Sequence, residues 1–236
     1  MDYTVTLIVI AFIVFSLFST LLALRFLTKR RIKETEEAKG LAALLGLRLL
    51  EPAEAMRRAY EVSGQTDFLA RLEKLPQPVV DFLRDNASWI VEGERSGVPV
   101  DIYSETRGSG RSSTTYTVVR ANLASPLAFD LHVAKEGAVV RLGKALFNVQ
   151  DIEIGDEDID PYVRIKSADP EAARVLLGKS EVKRALIAAL SQAPGFHVTS
   201  TFVDWDRVGT TADPAVITPI LDALVPLAKA LGSAKA

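Results

Sequence analysis

The most acidic stretch of the chain is residues 151–160, where six of ten residues are Asp or Glu. Asp156, Asp158 and Asp160 alternate as the first ligands of an EF-hand calcium loop do. That loop also needs glycine at its sixth position and glutamate at its twelfth, and these places hold a proline and a serine. We therefore predict an exposed acidic turn between two strands, with those three aspartates as weak candidate ligands for a divalent cation. A pair of carboxylates acting in a hydrolase is the alternative.

Two short motifs are similar to parts of nucleotide-binding loops. Gly178, Lys179 and Ser180 match the end of a P-loop, but the glycine required five residues before Gly178 is an alanine, and the motif lies within a helical pattern. Gly108 and Gly110 flank a single serine, which is too short for a dinucleotide fingerprint. We predict a break within a helix at the first motif and a loop tip at the second, and no cofactor.

The chain has two histidines, His132 and His197, and no cysteine. Each histidine falls within an apparent strand, without the paired spacing of a helical zinc motif, so we predict ordinary strand residues. The lack of cysteine excludes disulfides, cysteine-ligated metal centres and a cysteine nucleophile. No Gly-x-Ser-x-Gly motif nominates a serine nucleophile. The sequence therefore nominates no catalytic residue, and enzyme activity has no positive support.

The charge balance is close to neutral, with 28 Lys and Arg against 30 Asp and Glu, which argues against a nucleic-acid-binding protein. Five basic residues near the predicted strands would form a patch if they shared one face of the sheet: Arg107, Arg111, Arg120, Arg141 and Lys144. Such a patch would attract anionic lipid headgroups. A solvated face is the simpler interpretation, and we favour it.

The N-terminal segment has the length and composition of a membrane span. The 22 positions between Asp2 and Arg25 are uncharged, which gives about 33 Å of helix against a hydrocarbon core of about 30 Å. A signal peptide would carry its basic residues before the apolar stretch, whereas here they follow it. We predict a single transmembrane anchor within residues 1–31.

The basic residues after this span predict its orientation. They are Arg25, Lys29, Arg30, Arg31 and Lys33. Because positively charged flanks stay on the cytoplasmic side, we predict a single-pass inner-membrane protein with the N-terminus outside and the C-terminal bulk in the cytoplasm.

The rest of the chain divides into two parts. Residues 32–87 predict a helical stalk and packing region, and residues 88–236 an α+β domain in which an antiparallel sheet is covered by two helices. Ser96-Gly97 predicts a tight hairpin between strands 90–95 and 98–105. Further strands are predicted at 112–123, 127–134, 139–142, 162–166 and 196–205.

Two helices are predicted in the last third of the chain. The first begins at Asp169-Pro170 and places Val175, Val182, Leu186 and Leu190 on one apolar face. The second covers about residues 213–231. It contains two prolines, so we expect a kink or a late start at Thr218.

Two segments, taken in order, resemble a known family. Residues 112–127 read Ser-Ser-Thr-Thr-Tyr-Thr-Val-Val-Arg-Ala-Asn-Leu-Ala-Ser-Pro-Leu. Residues 150–156 read Gln-Asp-Ile-Glu-Ile-Gly-Asp, followed by Asp160, Val163, Lys166 and Asp-Pro-Glu-Ala-Ala-Arg-Val-Leu-Leu at 169–177. They resemble a family of uncharacterised bacterial membrane-anchored proteins over roughly the last 130 residues.

Ile159 and Tyr162 stand where that family usually has phenylalanine. Because both replacements keep an apolar anchor, the resemblance implies that the acidic stretch is a feature of the fold. It implies no catalytic residue, because no activity is established for the family.

The leading functional hypothesis is a membrane-anchored binding or scaffolding module, such as an accessory subunit of a membrane complex. The expected partners are the lipid bilayer and other membrane or cytoplasmic proteins, and no nucleic acid. Two alternatives remain open. One is a membrane-tethered hydrolase that uses residues 151–160, and the other is a sensor of anionic lipid surfaces that uses the basic residues of the sheet.

Overall fold

The computed structural model describes residues 32–51, 89–108, 112–135 and 152–233, together with isolated positions between residues 15 and 58. The predicted membrane span and most of the predicted stalk lie outside the described residues. Of residues 1–31, the structure describes Phe15, Ser16, Phe18, Arg25 and Lys29, all helical.

An eight-stranded antiparallel sheet forms the centre of the fold, with strand order β1-β2-β3-β4-β8-β7-β5-β6. Its strands are β1 Arg48–Leu49, β2 Ile90–Arg95, β3 Val98–Arg107, β4 Thr114–Asn122, β5 Leu131–Lys135, β6 Val163–Ser167, β7 His197–Val198 and β8 Phe202–Val208. The predicted α+β class and antiparallel pairing are confirmed. The predicted strand at 139–142 lies outside the described residues.

The first hairpin of the sheet forms where the sequence predicts it. Ser96 and Gly97 both have positive φ angles, of 53° and 81°, as a two-residue type I′ turn requires. The turn fixes the register of β2 and β3, in which Arg95 pairs with Val98 and Val91 with Ile102. The turn could be predicted from the sequence because its conformation depends only on these two residues and not on distant parts of the chain.

Four helical segments of eight or more described residues accompany the sheet: α1 at residues 32–45, α2 Pro170–Leu177, α3 Ser180–Gln192 and α4 Pro214–Ser233. Glu54, Ala55, Arg57 and Arg58 are also helical. Helix α4 packs on β3, β4 and β8, α3 packs on α4, and α2 lies against β6. Helix α1 buries Ala38, Leu41 and Ala42 in the same hydrophobic core. The helices that the structure describes therefore bury one face of the sheet.

Helix α4 is, among the described residues, the helix that is long and apolar enough to cross a membrane. Ten of its twenty residues are buried. They include Leu221 and Leu224, which belong to the core under the sheet, and Asp222 pairs with Arg95 of β2 at 2.6 Å. We interpret α4 as the core helix of the domain. It begins at Pro214 and continues through both internal prolines, so the predicted late start at Thr218 is wrong.

Two further predictions from periodicity are corrected. The helical pattern of residues 169–190 has its predicted break at Gly178, but Val175, predicted to lie on the apolar face, is 57% exposed. The break changes the phase of the helix, so the spacing from Val175 to Val182 does not hold across it. The predicted strand 196–205 is a hairpin of β7 and β8.

The N-cap of α2 provides a test of the local structure. Asp169 Oδ1 accepts a hydrogen bond from the Ala172 N–H at 3.0 Å, and proline follows at the first helical position. Asp169→Ala is expected to lower the free energy of unfolding by about 1 kcal/mol and the melting temperature by about 2–4 °C. The full chain in detergent can be followed by the fluorescence of Trp89 and Trp205, both of which are buried. Asp169→Ser keeps a capping oxygen, so equal losses in the two variants would contradict the assignment.

Candidate binding cleft

The sheet has a second face, which carries a cluster of charged side chains. Side chains alternate along a strand, so in β4 Thr117, Val119 and Ala121 point to one face and Val118 and Arg120 to the other. Val119 and Ala121 belong to the core that α4 completes. We call the opposite face, which carries Arg120, the polar face.

The strand register brings residues that are far apart in sequence onto the polar face. Arg120 of β4 is paired with Asp101 of β3 on one side and with Asp204 of β8 on the other. Asp204 is in turn paired with His197 of β7, and His197 with Ala134 of β5. One row of residues therefore crosses five neighbouring strands.

A cleft of about 250 Å³ opens on this face. Its polar lining includes Glu105, Arg107, Arg120, His132, His197 and Asp204. Both histidines of the chain thus line one cleft, which the sequence analysis did not foresee. Each was correctly assigned to a strand, but strand assignment alone does not say which strands are neighbours.

Arg120 is at the centre of the first group of contacts in the cleft. Its Nη2 donates to Asp204 Oδ2 at 3.2 Å, and its guanidinium lies 3.8 Å from the centre of the Phe202 ring. His197 Nδ1 lies 3.5 Å from the other oxygen of Asp204. The side chains of Arg120 and Asp204 are 16% and 12% exposed. Asp204 therefore positions both a guanidinium and an imidazole.

Arg107 is at the centre of a second group on the same face. It donates to Asp206 Oδ2 at 2.6 Å, also pairs with Glu105, and lies over the Tyr116 ring. Burial raises the pKa of the Asp206 carboxyl, although the Arg107 and His197 charges act in the opposite direction. The described part of the predicted basic patch is therefore neutralised by carboxylates. Arg111, Arg141 and Lys144 lie outside the described residues.

His132 differs from His197 in having no acidic hydrogen-bond partner. Its imidazole makes no hydrogen bond or ion pair within the described part of the chain. Burial lowers the pKa of its imidazole, against a smaller opposing effect of Asp130. A neutral imidazole carries one donor and one acceptor, and His132 is one of the residues that line the cleft.

The acidic turn of residues 151–160 is held together by hydrogen bonds within the turn. Asp160 accepts from the backbone N–H groups of Ile154, Gly155 and Asp156 at 2.8–3.1 Å. Asp156 accepts from the Asp158 N–H and pairs with Lys183 of α3 at 2.5 Å. The hydrogen bond from Lys183 lowers the pKa of the Asp156 carboxyl.

This geometry favours neither cation binding nor hydrolysis by a pair of carboxylates in the turn. The oxygens of Asp160 are directed to backbone N–H groups, and a carboxyl with a lowered pKa is a poor general acid. Within the described residues, no group of three or more His, Asp and Glu side chains is arranged to hold a metal ion. Ile159 is buried as an apolar anchor, whereas Tyr162 is 56% exposed, so the expectation of an anchor there is wrong.

The remaining residues singled out from the sequence lie in turns, at the ends of helices and strands, or in the basic flank. Gly178 and Lys179 form the turn between α2 and α3, and Ser180 begins α3, as the predicted helix break requires. Gly108 ends β3 with a positive φ of 95°. In the basic flank, Lys33 pairs with Glu37 one helical turn later at 3.6 Å. Arg30 and Arg31 lie outside the described residues.

Comparisons with known proteins give little further information. No protein-family model matches the chain, and a search of curated proteins gives no match. A similar solved structure is the crystal structure of the mycobacterial trehalose monomycolate transport factor A, with 14% sequence identity, a TM-score of 0.48 and coverage of 84% of this chain and 94% of that chain. A likeness of this size identifies neither a common activity nor a common ligand. The resemblance to the uncharacterised family stays a prediction.

Proposed function

We propose that the chain is a membrane-anchored binding module and that the polar face is its binding surface. The observation that supports this most strongly is the cleft, in which Arg120 and Asp204 form a largely buried ion pair and His197 lies beside Asp204. A buried ion pair within one chain contributes little net stability compared with apolar packing, so we infer that this pair serves recognition. A charged cleft on one face of a sheet whose other face is packed suits recognition.

The surroundings of the cleft also resemble an interface. At one end of the polar face, Val208 is 65% exposed, and it pairs with Tyr116, whose ring contacts Arg107. Exposed apolar and aromatic side chains beside arginine are typical of the centres of protein interfaces. The proposed partner is therefore another protein, in the membrane or beside it.

The anchor completes the proposal. Residues 1–31 would hold the module at the inner membrane in a single pass, with the N-terminus outside and the domain in the cytoplasm. An accessory subunit of a membrane complex fits this arrangement. The lipid-sensor alternative is weaker, because carboxylates already bind Arg107 and Arg120. The hydrolase alternative is weaker because Asp156 and Asp160 hold the turn.

A matched pair of surface variants tests the proposal. The intact protein, at native expression, is purified in mild detergent and its co-eluting proteins are identified. Val208→Glu places a carboxylate on the polar face and is expected to reduce the yield of a specific partner at least about tenfold, because hot-spot residues carry about 2 kcal/mol or more. Val175→Glu is the control, because Val175 is similarly exposed, at 57%, on helix α2.

The two outcomes are easily separated. A partner retained by Val175→Glu and lost by Val208→Glu would support the polar face as the binding surface. A lone monomer at native expression would contradict the proposal, and so would a partner that both variants retain equally.

A further inference from the structure

A groove of about 440 Å³ opens to solvent between helices α3 and α4. Its apolar lining comes from both helices and consists of Ala185, Ala188, Pro226 and Ala230. Helix α4 packs on the face of the sheet opposite the polar face, so the groove is a surface separate from the proposed binding surface. We call it the α3–α4 groove.

Charged side chains also line the α3–α4 groove. Glu181 and Arg184 belong to α3, and Lys229 belongs to α4. The Glu181 and Arg184 side chains make no hydrogen bond or ion pair with the described residues, and Lys229 donates one hydrogen bond, to the Ser96 carbonyl oxygen at 3.4 Å. Glu181 and Arg184 are three residues apart and therefore lie on the same side of the helix. The groove thus presents an acid and a base side by side, both unpaired within the part of the chain that the structure describes.

The outer side of α3 carries an exposed apolar side chain next to these charges. Ile187 is 36% exposed, whereas Val182, Leu186 and Ala189 of the same helix are buried. Arg184 lies one turn before Ile187 on the same side of the helix. A row of side chains on one helix packs into the groove between rows of another, and small side chains make such a groove deeper. Helix α3 therefore carries a ridge that suits a groove of the kind that it also borders.

We propose that two copies of this chain form a two-fold symmetric dimer in which α3 of each copy lies in the α3–α4 groove of the other. Ile187 of one copy then contacts the small side chains that line the groove of the other copy. Arg184 of one copy pairs with Glu181 of the other, and the symmetry forms this ion pair twice.

The unpaired acid decides which occupant fits the groove. Arg184 and Lys229 alone would suit an anionic membrane surface or an acidic helix of another protein. Glu181 would repel both of these, whereas a second copy offers a cation to Glu181 and a carboxylate to Arg184. The inference goes beyond the proposed function, because dimerisation through the helical layer leaves the polar face of each copy free for another protein.

Charge reversal tests the dimer on the full chain in mild detergent. The mass of the protein, corrected for bound detergent, is measured by analytical ultracentrifugation at a series of protein-to-detergent ratios. We expect a dimer that dissociates on dilution. Arg184→Glu and Glu181→Arg each place like charges opposite one another across the interface, so each is expected to raise the dissociation constant at least about tenfold.

Restoring opposite charges separates a lost contact from damaged folding. The double variant Glu181→Arg with Arg184→Glu is expected to have a dissociation constant within about threefold of that of the unchanged protein. An equal mixture of the two single variants is expected to form a heterodimer, because one variant carries two bases at these positions and the other carries two acids. A double variant that dimerises no better than the single variants would overturn the proposal.

Glu171→Arg is the matched control. Glu171 lies in the first turn of α2, as Glu181 does in α3, so both reversals act alike on a helix N-terminus. Its side chain is 81% exposed and lies outside the groove, so its reversal is expected to change the dissociation constant less than about twofold.

An equal loss of dimer in Glu171→Arg and Glu181→Arg would contradict the assigned interface, and so would a chain that is monomeric at every ratio. A monomer that instead binds anionic vesicles, or another protein, through Arg184 would identify a different occupant of the groove and would also overturn the dimer.

Discussion

Arg120→Met is expected to lower the free energy of unfolding by about 3 kcal/mol, because it removes one partner of a largely buried ion pair. The side chain of Asp204 is 12% exposed, and Arg120 is its closest cation at 3.2 Å. Methionine keeps much of the contact with the Phe202 ring. The loss therefore measures mainly the cost of leaving the Asp204 carboxylate without its arginine, with His197 as its remaining contact.

The measurement is denaturant unfolding of the full chain in detergent, followed by tryptophan fluorescence. Trp205 lies next to Asp204 in β8 and is itself buried, so it reports on this part of the sheet. Lys183→Met is the matched control, because it breaks the more exposed pair with Asp156, and its expected loss is below about 1 kcal/mol. Equal losses in the two variants would show that Arg120 and Asp204 do not form a buried pair.

A second replacement separates the cost of an unpaired carboxylate from the loss of packing. In Arg120→Met with Asp204→Leu no charge is left without a partner, so the double variant is expected to regain about half or more of the lost stability. A double variant no more stable than Arg120→Met would mean that Arg120 stabilises the sheet through packing on Phe202.

Local features of the fold were predictable from the sequence, and the cleft was not. Ser96-Gly97 specifies its turn by itself, and Asp169 caps α2 through an N–H three residues away. Arg120 and Asp204 are 84 residues apart and meet only because β4 pairs with β8. The alternation of residues within each strand does not show which strand it will pair with.

One signal for the cleft was nevertheless present in the sequence. Asp204 and Asp206 alternate with Val203 and Trp205 in β8, and Arg120 alternates with Val119 and Ala121 in β4. Such alternation predicts that each strand has one polar and one apolar face. The missing information was which polar faces are neighbours, and only the long-range strand order supplies it.

The position of the acidic turn was predicted correctly, but the role of Asp160 within it was not. The sequence predicts a turn at residues 151–160, and the described residues 155–162 form one before β6. It did not predict that one aspartate would organise the turn. The reason is that Asp160 accepts hydrogen bonds from backbone N–H groups four to six residues earlier. Every residue except proline has such a group, so the sequence does not show which of them will be used.

Asp160→Ala is expected to destabilise the domain by about 3 kcal/mol, since it removes three hydrogen bonds to one carboxylate, two of them in part-buried positions. Asp160→Asn is expected to lose less, about 1–2 kcal/mol, because its amide oxygen in the place of Oδ2 keeps two of the three hydrogen bonds. Two of the three N–H groups donate to the same oxygen, Oδ2, and an amide offers only one acceptor oxygen. The melting temperature of the full chain, read from tryptophan fluorescence, measures both losses.

Asp158→Asn is the control for the same turn, because the Asp158 side chain is 75% exposed and lies 3.8 Å from Lys183. Its expected loss is below about 0.5 kcal/mol. The difference in stability between the Asp160 and Asp158 variants also determines which of them can test the hydrolase hypothesis. Loss of function in Asp160→Asn would follow from a weakened turn, so only a loss in Asp158→Asn at unchanged stability would support catalysis by the acidic turn. An Asp160→Ala variant as stable as Asp158→Asn would show that the three hydrogen bonds do not hold the turn.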